Sequence, residues 1–193
     1  MPRLKSFIKT FGQYIFNRRE IKVYAYPSVA SDFAPPQLTG DPLVKATDIP
    51  VAYTPNGGYR RSFPAPVLVS CTEPLSADAP DLRGVWQCYK GRMKGHVERI
   101  EQCGNRVVIT AGGVIHDMKV DGTLENGVHD VTSRGAEVHV AADFKNGQLQ
   151  LRPNGKRLVV VRRYLDGDDL IWWYGPFKNR LRRLTEPMES WES

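Results

Sequence analysis

The sequence predicts an all-β protein, an antiparallel up-and-down meander that closes into a barrel. Three observations predict it. Five Asn-Gly or Asp-Gly pairs punctuate the second half of the chain: Asp121-Gly122, Asn126-Gly127, Asn146-Gly147, Asn154-Gly155 and Asp166-Gly167. Such dipeptides favour the positive φ angles of two-residue hairpin turns. The runs between them are short and rich in Val, Ile, Leu, Tyr and Trp, as strands are. No helical periodicity lies between those runs, which excludes a parallel α/β sheet. A meander of this length exposes its edges unless it closes on itself or packs on a second sheet.

The strands are expected at 84–90, 95–103, 105–111, 114–120, 128–133, 136–144, 148–152, 157–165, 169–174 and 178–184. Consecutive hairpins of this kind pair each strand with its neighbour in sequence. Residues 82–184 therefore form the barrel, and residues 185–193 a polar C-terminal tail.

Two segments precede it. Residues 3–17 read as an amphipathic helix, with Leu4, Phe7, Ile8, Phe11, Tyr14 and Ile15 on one stripe and Lys5 and Lys9 beside it. Residues 1–22 carry six basic side chains and one acid, a local +5 out of the chain's net +6. The remainder is close to neutral, so a barrel built to bind nucleic acid is not expected. Such a helix can dock on the barrel, lie on an anionic membrane surface or direct the chain to an organelle. Its residues are the candidate membrane or partner contacts. It lacks the apolar core and small-residue cleavage site of a secretory signal, so a cytoplasmic protein is expected, with association at the inner face of a membrane left open by the helix.

Residues 23–81 are Pro-rich. Ten of the fourteen prolines fall between 23 and 82. Proline removes a ladder donor and biases its predecessor toward extended geometry, so no long regular element is expected there. Recurrent apolar residues such as Tyr26, Phe33, Val51, Tyr59, Phe63 and Leu68 point to chain wrapped on the barrel, and Ala65–Ser70 could form one edge strand.

Composition narrows the class. Hydrophobic content of 41% and charged content of 25% are ordinary for a globular chain. No apolar run approaches the ~18 residues of a membrane-spanning helix. Three cysteines (Cys71, Cys88 and Cys103) are too few for a disulfide framework, although in an oxidising compartment one pair could bond and leave one over. His96, His116, His129 and His139 show no metal-ligand spacing, so neither a metal nor a cofactor is expected. No nucleophile elbow, phosphate loop or metalloprotease helix occurs, so the reading is non-catalytic.

Residues 82–184 resemble the calycin superfamily of lipocalins and fatty-acid-binding proteins. Gly84-Val85-Trp86 heads the first strand in the manner of the lipocalin Gly-x-Trp motif. The resemblance implies that Trp86 packs one barrel end and stacks on an arginine of the last strand, for which Arg180, Arg182 and Arg183 are available. The stretch from Phe144 to Ile171 is similar to the late strands of fatty-acid-binding proteins. The chain departs from that group in having no room for a helix pair between Lys90 and Gln102. Its nearest match to the carboxylate-gripping Arg-x-Tyr pair is Arg180-x-Arg182, and Arg162 would correspond to the other buried arginine.

The residues suggest the same kind of site. In the strand around 157–165, Arg162 and Tyr164 share one face and Arg163 and Leu165 the other. One arginine must then point inward, where a guanidinium needs an anion or several acceptors. Arg162, with Arg180 or Arg182, is the candidate clamp for a carboxylate or phosphate. Otherwise these arginines are solvated, or partner Glu98, Glu101 and Asp143. Trp172 and Tyr174 share a face and form either core or a stacking wall. The expected ligand set is thus Arg162, Tyr164, Trp172, Tyr174, Arg180 and Arg182. The expected function is to hold a small hydrophobic or amphipathic, fatty-acid-like ligand, with an anionic lipid fitting the inward arginine. Two alternatives stay open. One is a filled scaffold whose N-terminal arm binds a membrane or protein partner. The other is a barrel enzyme acting on a lipid-like substrate.

Overall fold

The computed structural model describes residues 26–41, 44–59 and 62–187. The predicted N-terminal helix and the last residues of the tail lie outside the described residues. Ten strands form one antiparallel sheet: β1 (Gly84–Lys90), β2 (Val97–Cys103), β3 (Arg106–Ala111), β4 (Val114–Lys119), β5 (Val128–Val131), β6 (Glu137–Lys145), β7 (Gln148–Pro153), β8 (Val161–Asp166), β9 (Asp169–Tyr174) and β10 (Phe177–Leu184). Every strand pairs with its sequence neighbour except β4 with β5, and β1 also pairs with β10. The result is a nearly closed barrel with one seam, between β4 and β5.

Local chemistry sets the turns. Asn146 (φ 53°) and Gly147 (φ 68°) form the two-residue loop between β6 and β7, both in the left-handed region that a primed turn requires. The other flagged pairs do not form two-residue loops. Asp166 ends β8 and faces Asp169, so that loop is Gly167-Asp168. Further tight loops are Gly104-Asn105, Gly112-Gly113 and Gly175-Pro176. Residues 157–160, expected in β8, lie outside the strand.

Two apolar layers hold the molecule together. The barrel interior contains Leu82, Trp86, Ile100, Val107, Leu149, Leu170 and Leu181. A second cluster lies between the outer face of β1–β4 and the Pro-rich segment, and includes Tyr59, Phe63, Leu68, Val85, Val97, Val108 and Ile115. The segment is therefore a sheath, docked on one side of the barrel. Each large apolar side chain it buries contributes about 1.5–3 kcal/mol. All seven residues of β2 are buried as a result, on both faces. Ala65–Ser70 is not a strand but a bend and turn, with Cys71 N–H donating to Leu68 O at 2.9 Å.

The sheath has few regular elements, so its polar groups are met by barrel side chains. Arg106 is the main clamp. Its guanidinium donates to the carbonyls of Ala46 (2.7 Å), Ile49 (2.5 Å) and Pro50 (2.8 Å) and makes a two-point pair with Asp117. Asp117 in turn accepts from Ala52 N–H at 2.8 Å. Arg99 donates to Pro64 O, and Glu101 accepts from Leu68 N–H, both at 2.8 Å. Burial raises the Glu101 pKa above the ordinary carboxylate value, against the pull of the nearby Arg99 charge. A disulfide joins Cys71 of the sheath to Cys103 at the end of β2, leaving Cys88 free and buried.

The sheath also bridges the seam. Thr54 accepts from Ile115 N–H of β4 through Oγ1 (3.0 Å), while its own N–H donates to Asp130 of β5 (2.9 Å). From the inner side, the His116 ring of β4 is bonded to Val131 O of β5 at 3.1 Å.

Candidate functional site

The barrel interior is not uniformly filled. The half nearest Leu82 and the Gly104-Asn105 loop holds fully buried apolar side chains, Leu82, Trp86, Ile100 and Val107 among them. Trp86 lies there, its indole N–H donating to Leu82 O at 2.9 Å. Of the three arginines in β10, it is Arg183 that stacks over the Trp86 ring, at 4.3 Å, while its guanidinium donates to Arg83 O. Gly84 is needed for this: at φ 132° its missing side chain leaves room, and a Cβ there would lie 2.2 Å from Arg183 Nη1.

The other half holds a cavity of about 260 Å³. Its walls are mostly apolar and come from β2–β4 and β6–β9, with Ile109, Val114, Met118, Val140, Leu151 and Trp172 among them. A wider opening of about 650 Å³ adjoins it, between the Gly112-Gly113 loop, residues 132–135 and residues 54–58 of the sheath. The two spaces share Gly112, Val114, Thr132 and Ser133 and so lie side by side at this end of the barrel.

One wall is polar. Arg163, 5% exposed, makes a two-point pair with fully buried Glu98, at 3.1 Å from Nε and 2.8 Å from Nη2. His96 stands 3.4 Å from the same carboxylate and tilts against Trp172. The Arg163 guanidinium lies 5.0 Å over the Trp172 ring, a cation–π contact. Burial opposes ionisation of Glu98, but the Arg163 charge and the bonds from His96 and Arg163 outweigh it and hold the pKa at about 2. Burial also lowers His116, on the adjoining wall, below its usual value.

The ligand set expected from sequence divides. Trp172 and Tyr174 line the cavity. Arg162 does not: it is exposed, and the inward arginine is Arg163. The reason is register. A two-residue loop pairs even positions of one strand with odd positions of the next, so Arg163 opposes Trp172 and Arg162 opposes Trp173. Tyr164 lies on the outer side with Arg162 and accepts from Trp173 Nε1 at 3.4 Å. Arg180 is held between Asp166 (2.8 Å) and Asp169 (2.7 Å) on the outside of the barrel, and exposed Arg182 donates to Gln87 Oε1 at 2.8 Å. Neither joins the cavity.

Glu98, Arg163, His96 and His116 were not among the expected ligand residues. One signal could have found two of them. With Trp86 taken as inward, its cross-strand partner Glu98 is inward too, and the pairing of β8 with β9 selects Arg163 once Trp172 is inward. Among the described residues, Cys71, Glu73 and Cys103 form a group at metal-ligand spacing, but the two sulfurs are bonded to each other and offer no thiolate. No helix among the described residues is long and apolar enough to cross a membrane. No family model and no curated protein matches the chain.

Proposed function

We propose that the chain is a non-catalytic binding protein that holds one small, mostly apolar molecule inside a lipocalin-like barrel. The observation that carries this reading is the cavity: about 260 Å³ of space, walled by apolar side chains and one polar cluster, in a barrel whose other half holds fully buried apolar side chains. Protein interiors are close-packed, and an apolar void with convergent polar groups is the usual form of a small-ligand site. At roughly 30 Å³ per water-sized group, the space suits a ligand of about ten heavy atoms. The stacking of Arg183 on Trp86 supports the resemblance to lipocalins at the packed end.

Native mass spectrometry of the full-length protein, purified from cells without detergent, tests the proposal. A stoichiometric adduct of small-molecule mass is expected. It should vanish in Val140→Trp, which fills the cavity. A clean unliganded mass, unchanged after incubation with a library of small apolar compounds, would overturn the reading.

A further inference from the structure

The bridge between sheath and barrel gathers three ligating atoms. Cys71 Sγ, Cys103 Sγ and a carboxylate oxygen of Glu73 all lie within 4.8 Å of one another. Cys71 and Glu73 belong to the sheath, and Cys103 ends β2, so the cluster draws on both parts of the fold. Two features hold the carboxylate there. Glu73 Oε2 accepts from Ala46 N–H at 2.7 Å. Gly104, at φ 55°, leaves it room, since a Cβ at that position would lie 2.7 Å from the same oxygen. An ionised carboxylate has lone pairs for about four donors, so acceptor capacity is left over. A neutral disulfide makes no use of that anion.

Reduction changes the chemistry of the cluster. In reducing compartments cysteines are kept as thiols, and there a cysteine pattern serves metal binding or catalysis more often than cross-linking. A dithiol reductant gives the bridge two electrons and two protons. The Sγ–Sγ bond breaks, Cys71 and Cys103 become thiols, and the reductant closes its own disulfide. The unbonded sulfurs then part to van der Waals contact. Two Zn–S bonds of about 2.3 Å at a tetrahedral angle put the sulfurs about 3.8 Å apart, close to that contact distance. The sulfur–oxygen edges of such a site are about 3.5 Å, so the carboxylate has at most about 1.3 Å to close. Two thiolates and a carboxylate are an accepted ligand set for zinc. Both cysteines are fully buried and Glu73 is half-buried, so the fourth position opens to water on the Glu73 side.

We infer that the reduced chain binds one zinc ion through the Cys71 and Cys103 thiolates and the Glu73 carboxylate, with water as the fourth ligand. Binding passes the two thiol protons to solvent. Disulfide and zinc are then alternative fasteners of the same two segments, one for an oxidising compartment and one for a reducing one. This inference is independent of what the barrel cavity holds.

The test uses the untagged full-length chain, reduced with a phosphine, which offers the metal no thiol, and then freed of reductant under argon. Zinc ion alone is titrated in competition with a chromophoric chelator, and cobalt(II) serves as the spectroscopic probe of the same site. The reduced native chain is expected to take up one equivalent, release two protons per ion and show sulfur-to-cobalt charge transfer. The oxidised chain should do none of these. Glu73→Gln should weaken zinc binding at least about tenfold, Cys88→Ser should leave it unchanged, and Cys71→Ser/Cys103→Ser should abolish it. Should reduction loosen the fold, the urea midpoint still decides, because an ion that binds the native state raises it. Zinc should restore stability to the reduced native chain, a chelator should remove it again, and the double variant should not respond. No cobalt–sulfur band together with an unchanged urea midpoint would overturn the inference, as would a band that survives in the double variant. Equal zinc affinity in Glu73→Gln would remove Glu73 as a ligand and overturn the three-ligand site.

Discussion

The two sides of the barrel are built differently. Strands β1–β4 carry the sheath and are buried on both faces, whereas the outer sides of β6 and β8 are largely open to solvent. On the sheathed side, charged groups such as Arg99, Glu101, Arg106 and Asp117 are buried and bind irregular backbone. On the bare side, charges such as Arg162 stay at the surface. A covered sheet face thus need not be apolar. Where the covering chain is Pro-rich and has few regular elements, its unpaired carbonyls and N–H groups require charged partners from the sheet.

The comparison predicts where the fold is fragile. The largest effect is expected at Arg106. Replacing it with Ala leaves Asp117 buried without its cation and frees three sheath carbonyls, at a cost of about 3–5 kcal/mol. Urea unfolding would measure the loss, and proteolysis should open first within residues 44–59. An unchanged urea midpoint would mean that the clamp is dispensable.

The disulfide comes next. It closes a loop of sequence separation 32, and its removal in Cys71→Ser/Cys103→Ser should cost about 3–4 kcal/mol by loop entropy. Cys88→Ser keeps the bridge, so its urea midpoint should fall on reduction as the native chain's does, whereas that of the double variant should not respond to reducing agent.

Acid should weaken the polar cavity wall rather than the sheath contacts. His116 has a folded pKa below its ordinary 6.5, so its contribution is present above pH 6.5 and lost as pH falls below it. Glu98 has a folded pKa of about 2 against an ordinary 4.5, so its contribution is present above pH 4.5 and lost as pH falls toward 2. Glu101 is shifted the other way, so protonating it relieves a cost and partly offsets the loss. Stability measured from pH 7 to 3 should decline in two stages. His116→Phe should flatten the first, and a single-stage decline in the native chain would contradict the assignment.

The smallest effect belongs to the bare side. Arg162→Ala should leave both the urea midpoint and ligand affinity unchanged, because the side chain is exposed and faces away from the cavity. A loss of affinity there would return the site to the outer face.

The number and order of strands were legible because they depend on local signals. Turn residues and β-branched runs report on neighbours in sequence, and ten strands were recoverable from them, though the turn frames were off at Asp166-Gly167. The inward face was harder to read. Val159, Val161, Arg163 and Leu165 look no more interior than Leu158, Val160, Arg162 and Tyr164 when each strand is taken alone. Only the ladder between strands breaks the tie. The sheath hid β2 in the same way, since Val-Glu-Arg-Ile-Glu-Gln-Cys reads as a solvated strand until something covers it. The cavity itself was not legible, because a void depends on how side chains from seven strands fail to meet.

The same division into faces sorts the thiols. In an unfolded chain, any two of Cys71, Cys88 and Cys103 can meet. Once β1 and β2 are paired, Cys88 belongs to the interior cluster and Cys103 to the cluster under the sheath. The sheet then stands between them as a partition. Cys103 can reach only Cys71, and the Cys88 thiol, pushed up to about 11 by burial, stays protonated and inert. Timing therefore decides fidelity. Oxidation after the hairpin forms yields one product, whereas oxidation before it can lock the inner thiol to the wrong side of the wall.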